Sequence, residues 1–95
     1  MNEKEFEELG LTKGESKVYF TLLKYRTSTT GPIVKNSKVS YSKVYNILER
    51  LIEKGLVSYI IKQKTKHYRA LAPSRLKDYL QNKKKELELK EKKLE

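Results

Sequence analysis

The sequence has no cysteine and no tryptophan, and it contains a single histidine, His67, and a single aspartate, Asp78. Without cysteine, neither a disulfide framework nor a thiolate metal site can form. Nucleophilic catalysis has little to build on, because no acidic residue near His67 in sequence could orient it and no glycine-rich phosphate loop is present. We therefore expect a protein that is not an enzyme and that holds no metal and no cofactor.

Long apolar runs are also missing. No stretch approaches the ~18 residues of a membrane span, and no signal-peptide core is present. The sequence also lacks a basic amphipathic helix with bulky aromatic residues on its apolar face, which would favour a membrane surface. With 95 residues the chain is long enough for one small domain and an appendage. The expectation is a soluble, cytoplasmic protein without a membrane partner.

Acidic residues are scarce in the middle of the chain. Residues 10–72 carry 13 Lys and Arg against three Glu, whereas residues 1–9 have a net charge of −3 and residues 73–95 a net charge of +3. The whole chain has a net charge of +10, and this excess favours a polyanionic partner. Lys outnumbers Arg 18 to 4 and Glu outnumbers Asp 11 to 1, a bias that is typical of hyperthermophile proteins.

The stretch 40–57 is the one around which the chain is organised. It predicts a helix over about 41–54, capped by Ser40 and stopped at Gly55. At ~100° per residue, one helix face is apolar and is formed by Val44, Ile47, Leu48, Leu51 and Ile52. The opposite face is polar and consists of Ser42, Asn46 and Arg50, with Lys43 to one side and Tyr41 and Tyr45 on the border. Such a helix on a small basic domain suits a DNA groove.

The other elements follow from local signals. Thr12 and Glu15 form a capping box that begins a helix over about 13–25. Thr30 is expected to cap a short helix, and the segment 35–40 is expected to be a turn. The alternating pattern over 57–71 predicts a β-hairpin, whose tip at 64–66 should be loose because no Asn-Gly or Asp-Gly is present. Pro73 is placed at the first position of a long helix that reaches residue 95.

Residues 42–57 resemble the recognition helix and the start of the wing in TrmB-like transcriptional regulators, which are mostly archaeal. The Val-Tyr pair at 44–45 and the Glu-Lys-Gly-Leu-Val run at 53–57 carry most of the likeness, and residues 9–12 and 67–73 add to it. The resemblance implies a mainly α fold with a small β-hairpin (α+β), a winged helix-turn-helix with a long C-terminal helix. It divides the chain into a DNA-binding domain over 1–72 and a C-terminal helix over 73–95.

Together, charge and resemblance predict a sequence-specific, nucleoid-associated regulator that binds double-stranded DNA. The recognition helix would lie in the major groove and the basic wing, 57–71, on the backbone or in the minor groove. An architectural chromatin protein with little sequence preference remains the alternative. The TrmB-like regulators usually add a sugar-binding effector domain that is not evident here, so no small-molecule effector is expected. The residues expected to contact DNA are Ser40, Tyr41, Ser42, Lys43, Tyr45, Asn46, Arg50, Lys62, Lys64, Lys66 and Arg69.

Within that set the expected roles differ. Asn46 can pair with adenine, and Arg50 with guanine or with a phosphate. Tyr45 is expected to pack under the helix more often than to contact a base, whereas Tyr41 could do either.

The tail helix carries leucines at 4-3 spacing, interrupted by Lys83 and Lys90. We expect this row to join two copies into a homodimer, with the helices either parallel or antiparallel. The alternative is a charged, solvated helix that frays. The residues expected at the dimer contact are Leu76, Leu80, Leu87 and Leu94.

Overall fold

The computed structural model of the protein describes residues 2–95, so Met1, at the start of the acidic segment considered above, lies outside the described residues. The described part of the chain is mainly helical with a small antiparallel sheet, as the sequence predicts. In chain order its elements are α1 (Glu3–Glu8), α2 (Lys13–Tyr25), β1 (Thr27–Ser28), α3 (Thr30–Ser37), α4 (Tyr41–Glu53), β2 (Val57–Lys62), β3 (Thr65–Ala70) and α5 (Arg75–Lys93).

Helix α2 begins and ends where the sequence predicts. The hydroxyl of Thr12 accepts the backbone N–H of Glu15 at 3.1 Å, and the carboxylate of Glu15 accepts the backbone N–H of Thr12 at 2.9 Å. The same reciprocal pattern at Asn2 and Glu5 begins α1, so the acidic N-terminal segment is helical. These bonds satisfy N–H groups that have no partner inside the helix.

Helix α3 departs from the prediction at both ends. Its N-cap is Thr29 rather than Thr30, because the carbonyl of Thr29 already accepts the N–H of Ile33 at 3.3 Å. The helix then continues to Ser37, and Lys38 ends it in the left-handed conformation with φ +63°. The turn between α3 and α4 is therefore shorter than the expected segment 35–40.

The sheet has a third strand that the sequence does not signal. Strand order is β1-β3-β2, and β1 pairs with β3 by placing Thr27 opposite Arg69 and Ser28 opposite Tyr68. Two residues are too few to show the alternation that identifies a strand in a sequence. Pairing on both sides makes β3 the central strand and leaves β2 at an edge.

The hairpin of β2 and β3, hereafter the wing, has a tight tip instead of a loose one. Lys62 and Thr65 are the last paired residues, so the turn consists of Gln63 and Lys64 alone. Both have positive φ, +51° and +65°, as a two-residue turn that matches the twist of the strands requires. Lys66, expected at the tip, lies in β3 opposite Ile61.

One core joins the helices to the base of the sheet. The Phe6 ring meets the Tyr19 ring edge-on at a centroid distance of 5.0 Å, and the Tyr19 hydroxyl donates to the carbonyl of Leu71 at 3.0 Å. These contacts tie the N-terminal helix and the end of the wing to α2. The buried apolar residues are Phe6, Leu11, Val18, Tyr19, Leu22, Ile33, Val39, Val44, Ile47, Leu48, Leu51, Leu56, Val57, Tyr68, Leu76 and Tyr79.

Helix α5 starts two residues later than predicted. Its N-cap is Ser74, so Pro73 precedes the helix and does not occupy its first position. The carbonyls of Ala72 and Pro73 accept the N–H groups of Arg75 and Leu76, at 2.9 and 3.0 Å, so a tight turn leads into the helix. Leu76 and Tyr79 join the core, and the rest of α5 is exposed. None of the helices in residues 2–95 combines the length and the apolar character needed to cross a membrane.

Candidate nucleic-acid interface

Helix α4 packs its apolar face against the rest of the domain, as its sequence predicts. Val44, Leu48 and Leu51 are buried. Ile47 meets the first turn of α2, where a Cβ atom on Gly14 would lie only 2.8 Å from the Cδ1 atom of Ile47. Glycine at this position therefore lets the two helices approach closely, and the approach sets the position of α4 against α2.

The same turn of α2 holds the other end of α4 through a buried carboxylate. Glu15, which has no exposed surface, accepts Nε of Arg50 at 3.1 Å and Nζ of Lys54 at 2.6 and 2.8 Å. Because Glu15 also caps α2 through Thr12, one side chain both begins α2 and joins it to α4. Arg50, expected to contact DNA, thus has a structural partner as well, although its side chain remains 46% exposed.

The pKa of Glu15 lies below its ordinary value of 4.5. Burial of the carboxylate acts in the opposite direction, but the hydrogen bonds from Lys54, from the backbone of Thr12 and from Arg50 outweigh it. Glu15 is therefore ionised at neutral pH, and its charge compensates two cations that would otherwise repel each other.

The N-terminal half of α4 exposes polar side chains and two tyrosines. Ser40 is the N-cap as predicted, but its hydroxyl lies 3.0 Å from the hydroxyl of Ser42 and does not cap the helix. The exposed side chains that follow are Tyr41, Ser42, Lys43, Tyr45 and Asn46. An N-terminus whose N–H groups are not capped by a side chain is a favourable place for an anion.

Tyr45 does not pack under the helix as expected. Its side chain is 57% exposed, because the cleft between α4 and the wing stays open beside it. Glu49, Lys66 and Tyr68 line the same cleft, which has a volume of about 160 Å³. Tyr45 is therefore available for contact with a partner, as Tyr41 is.

A basic groove runs between α4 and the first turns of α2. It has a volume of about 550 Å³ and includes Asn46 and Arg50 from α4. Its other cations are Lys13, Lys17, Lys38 and Lys43. Sequence reasoning missed the first three of these four lysines. The spacing of Lys13 and Lys17, four residues apart at the start of a helix, is a signal that they share a face, but nothing in the sequence shows that this face adjoins α4.

The cations of the wing are exposed but do not form one cluster. Cross-strand partners share a face, so Lys62 and Arg69 lie on the outer face and Lys66 on the inner one. The Nζ atom of Lys66 lies 4.5 Å from the centroid of the Tyr59 ring, and Lys64 occupies the turn. Within residues 2–95 the observed ion pairs involve none of these wing cations.

The leucines of the tail helix differ in exposure. Leu76 is 4% exposed and belongs to the core of the domain, so it is not available for a contact with a second copy. Leu80 is 37% exposed, Leu87 58% and Leu94 88%. The exposed row thus consists of Leu80, Leu87 and Leu94, while Leu89 is exposed outside their spacing.

Comparison with known proteins agrees with this architecture. The family model described as "Sugar-specific transcriptional regulator TrmB" matches residues 6–74. The HTH-type sugar sensing transcriptional regulator TrmBL1 of Pyrococcus furiosus is 37% identical over 54 residues, which is 57% of this chain and 16% of that protein. The chain therefore spans about a sixth of the length of this curated relative.

Solved structures show the same fold. TrmBL2, described as an archaeal chromatin protein with a novel mode of DNA binding, superposes with a TM-score of 0.76 and 28% identity, over 95% of this chain and 37% of that one. The ST1889 protein from Sulfolobus tokodaii superposes with a TM-score of 0.71 and 23% identity, over 94% of this chain and 97% of that one. The fold is thus the winged helix-turn-helix that the sequence predicts, and with the family model matching residues 6–74 the chain belongs to the TrmB family of transcriptional regulators.

Proposed function

We propose that this protein binds double-stranded DNA and regulates transcription, with the N-terminal half of α4 in the major groove. The observation that carries the proposal is the basic groove alongside that half of the helix, which five cations line together with the exposed Asn46. The carboxylate next to the groove, Glu15, is buried and already paired, so it does not oppose a phosphate. Recognition helices present their N-terminal residues to base edges in the same way.

The side chains divide into positioning and base-reading groups. Lys13, Lys17 and Lys38 border the helix and are suited to backbone phosphates, which fix register without reading sequence. Asn46 can make the paired hydrogen bonds that identify adenine. Arg50 is held at its Nε by Glu15, which leaves its terminal N–H donors for guanine or for a phosphate.

A second function is favoured by one comparison. TrmBL2, which shares 28% identity with this chain, is described as a chromatin protein. An architectural protein would use the same cations to coat DNA with little sequence preference, because phosphate contacts supply most non-specific affinity. The two functions differ in whether Asn46 and its neighbours distinguish one sequence from another.

We also propose that α5 joins two copies into a homodimer. The exposed Leu80, Leu87 and Leu94 recur every seven residues, which is the spacing of a helix–helix seam. A dimer of this kind would place two α4 helices about one DNA turn, ~34 Å, apart or at a multiple of it, and would favour a pseudo-palindromic site.

The test is selection of bound fragments from random genomic DNA at moderate salt, followed by sequencing. An enriched pseudo-palindrome supports a sequence-specific regulator, and a flat profile supports the architectural function. Binding should weaken steeply with salt, by about 0.9 in log K per log unit of salt for each phosphate contacted. A slope near zero would contradict DNA binding altogether.

A further inference from the structure

The wing carries two large apolar side chains that the domain does not cover. Ile60 is 60% exposed and Ile61 is 67% exposed, although β2 begins at the buried Val57. Exposed isoleucines near a hairpin tip add nothing to the core of the domain. Exposed apolar side chains of this kind, bordered by polar residues, are available for contact with a partner.

The two isoleucines face opposite sides of the hairpin. Ile60 is paired with His67 and shares the outer face with Arg69, whereas Ile61 is paired with Lys66 and shares the inner face with Tyr59. A flat partner could cover only one of these faces. A further strand added at the free edge of β2 would extend the sheet and cover neither. A partner that covers both isoleucines must contact both faces of the hairpin. A groove with two walls, into which the hairpin tip inserts, meets this requirement.

The charge of the wing indicates the nature of that groove. Residues 57–71 contain no aspartate or glutamate, and Lys62, Lys64 and Lys66 lie within a few residues of the isoleucines. The minor groove of DNA has two phosphate edges that attract such cations, and its floor and sugar walls accept apolar side chains that act as wedges between base steps. The tight turn at Gln63 and Lys64 keeps the tip narrow.

We propose that the wing tip enters the minor groove of double-stranded DNA as an apolar wedge, which buries Ile60 and Ile61 and bends the duplex. The inference rests on the proposed DNA binding and adds a contact mode that the lysines alone do not supply. Lysines would hold the wing on the phosphates without deforming the duplex, whereas a wedge opens base steps and bends it, typically by at least about 20°.

The first experiment replaces both isoleucines by threonine, which keeps a β-branched side chain in the strand. Binding of the full chain to a short duplex is measured over a range of salt concentrations, with dyes at the duplex ends to report the bend. The Ile60→Thr/Ile61→Thr variant should bind about 10- to 100-fold more weakly, with an unchanged salt slope and without the bend. Leu89→Gln, which removes an exposed leucine from α5, is the matched control and should behave like the unmodified protein.

Three outcomes would overturn the wedge. Affinity within twofold of the unmodified protein would show that the isoleucines are not buried on DNA. A flatter salt slope would show that the wing acts through charge alone. Unchanged DNA bending with reduced self-association in the absence of DNA would assign the isoleucines to a contact between copies. Failure of the unmodified protein to bind any duplex would instead refute the proposed function.

A second measurement does not depend on loss of binding. Because the chain contains no tryptophan, an Ile61→Trp variant carries a single tryptophan at the wing tip. Its fluorescence should become quenched by stacking on bases and protected from acrylamide when duplex DNA is added. The Leu89→Trp variant, whose probe lies on α5, should show neither change. Equal accessibility of the two probes on saturating DNA would exclude insertion of the wing tip.

Discussion

The Nζ atom of Lys54 lies 2.6 and 2.8 Å from the two carboxylate oxygens of Glu15, a side chain with no exposed surface that is 39 positions away in sequence. The pair connects the first turn of α2 to the C-cap residue of α4, three positions before the wing begins at Val57. A buried carboxylate that is fully hydrogen-bonded is costly to disturb, because its partners lose their compensating charge. Glu15 therefore links the start of α2 to the position of α4.

The first prediction is that Glu15→Gln destabilises the protein. The change removes the negative charge but keeps the shape, so Arg50 and Lys54 face each other without compensation, and we expect a loss of about 2–3 kcal/mol in the free energy of unfolding. Chemical denaturation measures it. Glu53→Gln, on the exposed side of α4, is the control and should change stability by less than about 0.5 kcal/mol. If the two variants lose the same free energy of unfolding, the buried ion pairs of Glu15 do not stabilise the fold more than an exposed carboxylate does.

The second prediction concerns acid. Because the pKa of Glu15 is lowered in the folded protein, its contribution to stability is fully present above its ordinary value of 4.5 and is lost as the pH falls through the lowered value. The free energy of unfolding of the unmodified protein should therefore fall more steeply below about pH 4.5 than that of Glu15→Gln. Denaturation curves at a series of pH values compare the two. If the free energies of unfolding of the two proteins fall in parallel with pH, Glu15 does not contribute to the loss of stability in acid.

The third prediction is that Gly14 and Ile47 are coupled. Gly14→Ala gains helix propensity but places its Cβ atom 2.8 Å from Cδ1 of Ile47, so the net result should be a loss of about 1 kcal/mol. In an Ile47→Val background, which removes that Cδ1 atom, Gly14→Ala should no longer be destabilising. A double-mutant cycle by thermal or chemical denaturation measures the coupling. If the effects of the two substitutions simply add, Gly14 and Ile47 are not coupled, and the contact between the helices tolerates an added Cβ atom.

The fourth prediction separates base reading from phosphate binding. Asn46→Ala should cost about 1–3 kcal/mol on a selected site and little on unrelated DNA. Lys13→Ala with Lys17→Ala should weaken binding to both DNAs alike and reduce the salt slope by about 2. Lys92→Ala with Lys93→Ala, at the end of α5, removes the same charge and serves as the control. A change of base preference in the Lys13 and Lys17 variant would show that the groove does more than bind phosphates.

The fifth prediction concerns the tail helix. Leu80→Lys with Leu87→Lys should give a folded monomer that binds DNA far more weakly, because burying a leucine is worth roughly 1.5–3 kcal/mol and charged groups resist burial. Analytical ultracentrifugation and circular dichroism check both points. Gln81→Lys with Leu89→Lys adds equal charge off the leucine row and should leave association unchanged. If the unmodified protein is a monomer and still binds DNA tightly, α5 is not a dimerisation helix but only a charged appendage.

Local signals in the sequence account for much of the fold. Thr12 and Glu15 predict the correct start of α2 because a capping box depends only on residues three apart. The buried face of α4 followed from the spacing of its apolar residues, and Gly55 ends the helix region with φ +77° as expected. Such features depend only on residues that are close together in the sequence.

Features that depend on tertiary contact could not be obtained in this way. β1 exists only because Thr27 and Ser28 meet β3, and two residues are too short a stretch to signal a strand. Gln63 and Lys64 adopt positive φ without the glycine or asparagine that usually signals it, so the tight tip was missed. The exposure of Tyr45 depends on an open cleft beside the wing, and the burial of Leu76 on the course of the chain after the wing.

Two of the contacts described above hold α4 against α2: Ile47 packs against Gly14, and Arg50 and Lys54 bind Glu15. Both come from the buried or C-terminal side of α4. The exposed positions Ser42 and Asn46 take part in neither. Substitutions at these two positions can therefore accumulate, or be introduced, without weakening the contacts between α4 and α2. The exposed face of the helix can thus be changed independently of its contacts with α2, and a library varied at these positions offers a route to retargeting that preserves the scaffold.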